Sequence, residues 1–296
     1  MSNNIFWISS YPKSGNTLMR SILTALFFTE NGKFDFEKLL NIGQFEMTSL
    51  VKKNRYIFGD DYFKLNETIL FYKYIEKLQS KESLGFNEDF IFLKTHSGLF
   101  KIDGNAFTNE KNSRGIIYIL RDPRDVCISY SKHLGLSIDE TIQFMLDDYS
   151  KADWVESPSK GIVFDDHNRP NSLYSSWEKH VISWTSVKWK TPIMILKFED
   201  LIMNKKKVIN EIINFFEKNY FFKFENKNEK IQNIIDSTEF LRFKKEEEQK
   251  GFQESVGNNS FFSVGKKNQW KSILNNKQIN RIEKKFGKVM KNYDYI

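Results

Sequence analysis

The stretch FWISSYPKSGNTL, residues 6–18, decides how the N-terminal part of this chain folds. A short apolar run predicts a buried strand, which leads into a loop of small residues holding Lys13 and Gly15 and then into a helix-like pattern. The N–H groups of such a loop, the positive end of the helix and the lysine ammonium can converge on one phosphate. In a Walker A loop the lysine follows the second glycine, whereas Lys13 precedes Gly15. The loop is therefore predicted to bind phosphate, but not in the manner of an ATPase.

The composition predicts an ordered globular protein that binds an anion. Of the 296 residues, 40% are hydrophobic and 16% aromatic, as in ordered globular proteins, and the length favours one large α/β domain over residues 1–296 rather than two small domains. The 45 basic residues exceed the 38 acidic ones and give a net charge of +7 that is spread along the chain. A small anionic ligand is favoured over nucleic acid, because no helix-turn-helix, zinc, RNP or arginine-rich signature accompanies the charge.

The location of the protein and the lack of a metal site are predicted from features that the sequence does not contain. No apolar run approaches the ~18 residues of a membrane span, and the N-terminus does not read as a signal peptide. We therefore expect a soluble cytoplasmic protein with no membrane partner. Cys127 is the single cysteine, and with four scattered histidines it offers no metal-ligand spacing, so we expect no bound metal. Its apolar helical surroundings favour a small buried side chain over a nucleophile.

Strands and helices alternate along the chain, which predicts a three-layer α/β fold of P-loop type with a mostly parallel central sheet. Four apolar runs, residues 6–8, 90–93, 116–120 and 193–196, read as buried strands. Helices are predicted at residues 17–27, 123–132, 138–148, 173–188, 208–217 and 277–291. Each strand ends in polar residues, and the carboxyl ends of parallel strands form the ligand site of such sheets. These ends are therefore expected to face one site.

Two less regular segments, residues 29–89 and 149–172, interrupt this alternation. Long connections in α/β enzymes form lids or acceptor pockets, and plain surface elaboration explains them equally well. Neither segment holds a motif that identifies an acceptor.

The segment RDPRD, residues 121–125, follows the third strand. Asp122 is a good helix N-cap and Pro123 suits the first helical position, so capping explains both without invoking function. Capping does not explain Arg121, whose guanidinium at a strand end could grip a second phosphate or form a structural salt bridge.

Taken together, these motifs resemble the PAPS-dependent sulfotransferases of the soluble cytosolic type, where PAPS is 3′-phosphoadenosine 5′-phosphosulfate. The matching segments run in the family's order over nearly the whole chain: YPKSGNT at residues 11–17, KTH at 94–96, RDPRDVxxS at 121–129, SWEKHV at 176–181, KFEDL at 197–201, STEF at 237–240 and GKKNQWK at 265–271. Each is weak alone, and their order and spacing make the resemblance specific.

The resemblance implies PAPS as cosubstrate, PAP (3′-phosphoadenosine 5′-phosphate) as product and a role for each matched residue. Lys13, Ser14, Gly15, Asn16 and Thr17 would hold the 5′-phosphosulfate, and Arg121 and Ser129 the 3′-phosphate. Thr238 and Phe240 would lie near the adenine. The backbone around Gly265 would close over the 3′-phosphate.

Three positions depart from the family's pattern. Leu18 stands where the family has tryptophan, which removes an aromatic surface for the adenine, and Phe198 stands where a tyrosine is common. Near the C-terminus Ser263 replaces an arginine that would bind the 3′-phosphate, and Lys266 or Lys267 offers only a point charge in its place. These changes bear on cofactor affinity more than on the fold.

His96 is the predicted general base, and Lys13 and Lys94 are the predicted catalytic cations. An unperturbed imidazole at the end of a buried strand can accept a proton near neutral pH. In this hypothesis His96 deprotonates a hydroxyl or amine of a small-molecule or glycan acceptor, which attacks in line with the leaving oxygen. The two lysines and the loop N–H groups stabilise the departing phosphate. His133, His167 and His180 are read as helix or loop residues.

Two other functions stay open at this stage. A nucleotide-dependent kinase is disfavoured by the position of Lys13 and by the absence of a clear Walker-B-like carboxylate at a strand end, since the nearest candidates, Asp60 and Asp61, do not follow an apolar run. A catalytically degenerate nucleotide-binding protein of the same fold is the second alternative. The acceptor and the oligomeric state cannot be read from the sequence.

Overall fold

Among the described residues, four of the five strands of the central sheet coincide with the predicted apolar runs, and the short strand Gly43–Gln44 was not predicted. The computed structural model describes residues 4–151, 170–252, 254, 262 and 265–296. Its strands are β1 (Ile5–Ser10), β2 (Gly43–Gln44), β3 (Ile91–Thr95), β4 (Lys101–Ile102), β5 (Asn105–Ala106), β6 (Ser113–Leu120) and β7 (Ile193–Lys197). β4 and β5 form a small antiparallel pair of their own.

Within the described residues, five strands form one sheet in the order β2-β3-β1-β6-β7. Every pairing in this sheet is parallel, with Ile8 opposite Lys94 on β3 and Ser10 opposite Ile119 on β6. The carboxyl ends of β1, β3, β6 and β7 therefore meet at one edge, and the polar residues that follow them become neighbours. The predicted α/β fold with a parallel central sheet is confirmed.

The sheet is covered on both faces, because alternate side chains of a strand point to opposite sides. Ile5 and Trp7 of β1 belong to one apolar cluster, whereas Phe6 and Ile8 belong to the other. All four are buried. This burial on both faces explains why the strands read as continuous apolar runs rather than alternating ones.

The helices pack on these two faces. They are α1 (Asn16–Phe28), α2 (Thr48–Lys53), α3 (Thr68–Leu78), α4 (Lys81–Leu84), α5 (Pro123–Leu134), α6 (Ile138–Leu146), α7 (Trp177–Thr185), α8 (Phe198–Met203), α9 (Lys205–Tyr220), α10 (Lys227–Ser237), α11 (Phe240–Lys250), α12 (Trp270–Ile273) and α13 (Asn276–Asn292). Helices α1, α9 and α10 contribute to the cluster around Phe6, and α3, α5, α7 and α13 to the cluster around Trp7. Within the described part of the chain, no helix is both long and apolar enough to cross a membrane.

Two sequence interpretations need correction. Residues 29–89 are not irregular, since they hold α2, α3, α4 and three short 3₁₀ helices, Phe36–Asn41, Arg55–Ile57 and Gly59–Lys64. The helix predicted at 173–188 is shorter and begins at Trp177, one residue after Ser176. Ser175 has a left-handed backbone, φ 59°, which a helix cannot continue through. Of the second irregular segment, residues 152–169, including His167, lie outside the described part of the chain.

Candidate functional site

The loop between β1 and α1 has the backbone of an anion cradle. Lys13 and Gly15 both adopt left-handed conformations, with φ of 64° and 101°. Gly15 is the N-cap of α1, and no side chain caps the first turn of that helix. Its N–H groups are thus left for a ligand, as at other helix N-termini that bind anions. A Cβ at position 15 would lie 2.5 Å from Cδ2 of Phe198, so glycine is required there for space as well as for φ.

Polar atoms of this loop are buried without partners among the described residues. The Ser14 hydroxyl and the Asn16 side-chain oxygen have no hydrogen-bond partner there. The Asn16 amide donates to the Ile8 carbonyl at 3.1 Å, which fixes its side chain against β1. A buried polar atom left unpaired costs about 1–3 kcal/mol, so such atoms mark a place where a ligand completes the hydrogen bonding. The loop therefore fits an anionic group.

Two lysines of the site have lowered pKa values: Lys13 in the loop and Lys94 on β3. Burial lowers the pKa of Lys13 to about 7; the charges of Arg121 and Lys94 act in the same direction, and the Glu254 carboxylate acts against them. Burial is also the main cause that lowers the pKa of Lys94, which is 3% exposed at the end of β3. Cations packed this closely favour a multiply charged anion, whose arrival would restore their charged forms.

Arg121 joins three parts of the site. Its guanidinium donates to the Lys13 carbonyl at 2.8 Å and to the Lys266 carbonyl at 3.5 Å, and it stacks on Phe198 with 4.3 Å to the ring centroid. Arg121 is buried, and its Nε has no partner among the described residues. Phe198, noted in the sequence as a lost hydroxyl, is thus a stacking surface for this arginine and the neighbour of Gly15.

The remaining residues of the RDPRD segment hold the chain together around Arg121. Asp122 caps α5 by accepting from the Arg124 N–H at 2.9 Å, as the capping pattern predicts. Arg124 packs over Trp270, with 3.7 Å from its guanidinium carbon to the ring centroid. Asp125 accepts from the N–H groups of Asn268 at 2.6 Å and Trp270 at 3.0 Å. The start of α5 therefore anchors the segment that begins at Gly265.

Other residues matched by the resemblance lie on α5, after the end of α10, at the start of α11 and next to Gly265. Ser129 is partly exposed on α5. Thr238 is buried at the end of α10, and its hydroxyl donates to the Ile234 carbonyl at 2.6 Å. Phe240 at the start of α11 fills the space next to Gly265, where φ is 60° and an added Cβ would collide with the ring. The side chains of Lys266 and Lys267 are exposed. Ser263 lies outside the described residues.

His96 follows β3 directly and has a defined tautomer. Its Nδ1 lies 2.8 Å from the Ser10 carbonyl oxygen, which can only accept, so Nδ1 carries the proton and Nε2 keeps a free lone pair. The side chain is partly exposed. Burial first and the Lys94 charge second lower the pKa of His96 to about 3, so the imidazole is neutral at physiological pH. Neutral and oriented, Nε2 presents a lone pair to a proton donor, but its pKa of about 3 makes it a weaker base than the unperturbed imidazole expected from the sequence.

A second histidine, His180 on α7, supports the backbone of His96. Its Nε2 donates to the His96 carbonyl at 3.0 Å, and its Nδ1 accepts from the Tyr118 hydroxyl at 2.9 Å. Burial lowers the pKa of His180 to about 3, which keeps it neutral in this role. Nothing in the sequence signals this contact beyond the position of His180 in a motif of the resemblance. His133 lies in the last turn of α5, next to Tyr130.

Arg20 and Glu254 were missed by the sequence reasoning altogether. Arg20 lies on α1, three residues after Thr17, and is 3% exposed. The Glu254 carboxylate contacts the Arg20 guanidinium and lies 2.7 Å from the Lys94 ammonium. The helical spacing of Thr17 and Arg20 was the one available signal, since residues three apart share a helix face. No local pattern places Glu254 there.

The carboxylates considered for a kinase lie elsewhere in the fold. Asp60 and Asp61 belong to the 3₁₀ helix Gly59–Lys64 rather than to a strand end. Asp61 accepts from Lys73 at 2.8 Å and from Tyr74 at 2.6 Å. Cys127 is buried against Ile138, and burial raises its pKa to about 12, as expected for a packing residue.

Comparisons with known proteins match this chain over nearly its whole length. The family model of the sulfotransferase domain matches residues 4–294. Flavonol 3-sulfotransferase of Flaveria bidentis is 22% identical over 290 residues, which cover 95% of this chain and 80% of that protein. Sulfotransferase 1A1 of Rattus norvegicus is 23% identical over 294 residues, covering 97% of this chain and 85% of the rat protein. Sulfotransferase 2A6 of Mus musculus is 28% identical over 105 residues, 35% of this chain and 32% of the mouse protein.

Solved structures show the same fold. A mouse sulfotransferase complexed with PAP aligns with a TM-score of 0.57 at 16% identity, covering 100% of this chain and 86% of that one. Retinol dehydratase in complex with androsterone and PAP aligns with a TM-score of 0.61 at 17% identity, covering 98% of this chain and 82% of that one. The chain therefore belongs to the sulfotransferase family, which confirms the resemblance to PAPS-dependent sulfotransferases seen in its sequence.

Proposed function

We propose that this protein transfers the sulfuryl group of PAPS to a hydroxyl or amine of a small acceptor, with His96 as the general base. The observation that carries the proposal is the His96 tautomer. The Ser10 carbonyl holds the proton on Nδ1, which leaves Nε2 free to accept one beside Lys94 and the β1–α1 loop. Family membership supports the reaction type, and two PAP complexes among the structural neighbours support the nucleotide.

The residues present fit this nucleotide at both of its charged ends. Lys13, Ser14, Gly15, Asn16, Thr17 and Lys94 would hold the 5′ end, where the cap of α1 is open and buried polar atoms lack partners. Arg121, Ser129 and the segment from Gly265 to Lys266 would hold the 3′-phosphate, with Thr238 and Phe240 near the adenine. Two basic groups at two strand ends suit a ligand with two separate anionic groups. When bound, PAPS supplies the activated sulfuryl group.

The side chains of this protein supply charge and proton transfer. Lys13 and Lys94 place positive charge where negative charge develops on the leaving oxygen, an effect that typically contributes 10²- to 10³-fold in rate per donor. His96 Nε2 takes the acceptor proton, and His180 holds the backbone of His96 in place. A neutral His96 is required for this step. The pKa of about 3 keeps His96 neutral across the physiological range and also makes it a weak base, so its contribution depends on the orientation that the Ser10 carbonyl imposes.

The acceptor is proposed to be a small molecule with a hydroxyl group. Among the relatives, one is named a flavonol 3-sulfotransferase and another, from Cavia porcellus, a 3-beta-hydroxysteroid sulfotransferase. Both names specify a hydroxyl on a compact ring system. Residues 29–89 and 149–172 remain the predicted acceptor segments of this chain.

Replacing His96 by Ala tests the proposal. We expect sulfuryl transfer from PAPS to a panel of phenols, steroids and amines to fall by about 10²- to 10⁴-fold, the range typical of general-base catalysis. PAP affinity in calorimetry should stay within about twofold, because Nδ1 and Nε2 are not assigned to the nucleotide. Turnover would be followed by mass spectrometry as addition of SO₃ to the acceptor.

Two controls make this result decisive. His133→Ala removes a histidine outside the site and should leave turnover unchanged. Lys13→Ala should reduce both turnover and PAP binding. Unchanged turnover in His96→Ala would exclude His96 as the base, and wild-type protein that binds PAP without transferring to any acceptor would point to a binding protein. Mg²⁺-dependent turnover of ATP would instead support the alternative function of a nucleotide-dependent kinase.

A further inference from the structure

The Glu254 carboxylate lies at the position where the proposed function places an anionic part of the cofactor. Its Oε2 is 2.7 Å from the Lys94 ammonium and 3.4 Å from the Thr17 hydroxyl, and its Oε1 contacts the Arg20 guanidinium. The side chains of Arg20 and Lys94 are each 4% exposed. One carboxylate of the chain thus uses a strand-end lysine, a loop hydroxyl and a helix arginine together.

Arg20 is fixed in an orientation that requires an anion. Its Nε donates to the Ile42 carbonyl at 2.9 Å and its Nη2 to the Leu39 carbonyl at 3.3 Å, which leaves Nη1 directed at Glu254. A buried guanidinium with only neutral acceptors is costly, so a negative charge has to face Nη1. Although burial acts in the opposite direction, Lys94 and Arg20 hold the pKa of Glu254 well below its usual range. The carboxylate is therefore ionised in this place.

Glu254 and the nucleotide compete for these donors, because the Thr17 hydroxyl has a single proton to donate, although the Lys94 ammonium has three. Lys94 and Thr17 are assigned to the 5′ end of PAPS under the proposed function, and Glu254 already occupies both. A carboxylate presents two oxygens that share one negative charge, as do neighbouring oxygens of a phosphate or sulfuryl group, so one set of donors suits either. Arg20 shares its anion with Lys94 and Thr17, and whichever anion binds them faces Arg20 as well.

We propose that Arg20 is a binding residue for the anionic 5′ end of the nucleotide, and that Glu254 occupies its place in the free protein and leaves it when the nucleotide binds. This proposal rests on the proposed function for the identity of the ligand. It adds a third cationic side chain, Arg20, to Lys13 and Lys94. The measured affinity then reflects competition with Glu254. Only molecules in which Glu254 has left the site can bind the nucleotide, so the apparent affinity is the intrinsic affinity multiplied by the fraction of such molecules.

Calorimetry on four proteins tests both parts: wild type, Glu254→Gln, Arg20→Met and the double variant, each titrated with PAP. Glu254→Gln keeps the shape of the side chain and removes its charge, so PAP should bind about tenfold more tightly or better. In the Glu254→Gln background the competitor is weakened, and Arg20→Met should reduce PAP affinity by about tenfold or more. Arg20→Met alone removes both a ligand of PAP and a partner of Glu254, so its effect should be smaller than in that background.

The choice of ligand locates the effect on the nucleotide. Adenosine 3′-monophosphate lacks the 5′ group, so its affinity should not respond to Arg20→Met in the Glu254→Gln background. Comparison of PAP with PAPS separates the two sources of charge: an equal loss assigns Arg20 to the 5′-phosphate, and a larger loss with PAPS assigns it to the sulfuryl group. Arg55→Met, which alters an exposed arginine, is the matched control and should bind PAP as wild type does.

The outcomes that overturn the proposal are distinct from failure of the proposed function. If Glu254→Gln leaves PAP affinity unchanged, and Arg20→Met leaves it unchanged in the Glu254→Gln background, while the wild type binds PAP and transfers sulfuryl, the proposal is wrong and the function stands. An equal loss of affinity for adenosine 3′-monophosphate also overturns it. Should Arg20→Met fail to fold, Arg20→Lys keeps the charge without the fork, and Glu254→Gln alone decides the competition.

Discussion

The two charged halves of the proposed site differ in how far apart their residues lie in the sequence. The loop half uses consecutive residues, Lys13 to Thr17, and Lys94 from the neighbouring strand. The arginine half centres on Arg121, whose guanidinium reaches carbonyls 108 and 145 residues away and stacks on Phe198 from α8. The difference shows that the loop proposed to bind the 5′ end is a local product of strand, glycine and helix start. The proposed 3′-phosphate site at the same sheet edge depends on tertiary packing.

Arg121→Lys should separate the two halves most clearly. A lysine cannot keep two carbonyl contacts and a ring stack at once, because it offers a point charge in place of a planar fork. Loss of charge-assisted hydrogen bonds costs about 1.5–3 kcal/mol, so we expect PAP to bind roughly 10- to 100-fold more weakly. Adenosine 5′-phosphosulfate, which lacks the 3′-phosphate, should lose little affinity. Calorimetry with both ligands measures the difference.

The matched control for this variant lies on the same strand. Arg114 stands at the opposite end of β6, where it packs over Phe6 and Phe90. Arg114→Lys should leave the affinity for both ligands unchanged. Equal losses for PAP and adenosine 5′-phosphosulfate in Arg121→Lys would show that Arg121 supports the loop, through its bond to the Lys13 carbonyl, rather than the 3′-phosphate.

The contribution of the loop half should appear as a pH dependence of PAP affinity. In the free protein the pKa of Lys13 is about 7, and a bound dianion raises it, so binding above pH 7 requires uptake of a proton. Affinity is therefore highest where Lys13 is already charged and should fall as pH rises, by about tenfold from pH 7 to pH 8.5. The phosphates are fully ionised above pH 7, since their second pKa is about 6. His96 is neutral throughout this range and adds nothing to the slope.

Measurement of PAP affinity from pH 7 to pH 8.5 in wild type and Lys13→Arg checks this prediction. Arginine stays charged at every accessible pH, so the variant should lose most of the slope. Burial also lowers the pKa of Lys94, which accounts for any slope that remains in Lys13→Arg. An identical slope in both proteins would show that Lys13 is not the group that takes up the proton.

The sequence could predict those parts of the site that depend on neighbours in the chain. The strand ends, the loop before α1 and the cap at Asp122 are each set by a short pattern of residue types. His96 also follows from its place at the end of a strand, although its tautomer depends on the Ser10 carbonyl, 86 residues away. A sequence pattern can identify the residue, whereas its tautomer and its hydrogen-bond partner are determined by tertiary packing.

The parts that could not be predicted depend on contacts between distant segments. Glu254 meets Arg20 across 234 residues, and neither has a motif that marks it as part of the site. Phe198 looked like the loss of a hydroxyl, whereas its ring supports Arg121 and limits position 15 to glycine. Within residues 29–89, α2 and α4 span only 6 and 4 residues, too few for helical periodicity to stand out. The 11 residues of α3 are long enough for such a pattern, with Phe71, Tyr72, Ile75 and Leu78 on the buried face, and the sequence interpretation missed it.

Asp125→Asn is the mildest way to loosen the arginine half. Asp125 anchors the segment after Gly265 by accepting from two N–H groups, of Asn268 and Trp270. Asparagine has the same shape but one acceptor oxygen and no charge, so one of the two N–H groups loses its acceptor and faces an NH₂ group, while the Arg121 side chain is not itself altered. We expect PAP affinity to fall about three- to tenfold at a net cost near 1 kcal/mol, with the maximal turnover rate unaltered. Asp89→Asn, at an exposed position before β3, is the control. A fall in turnover at saturating PAPS would contradict the prediction, because it would mean that the anchor also positions the loop half, and the two halves would then act as one.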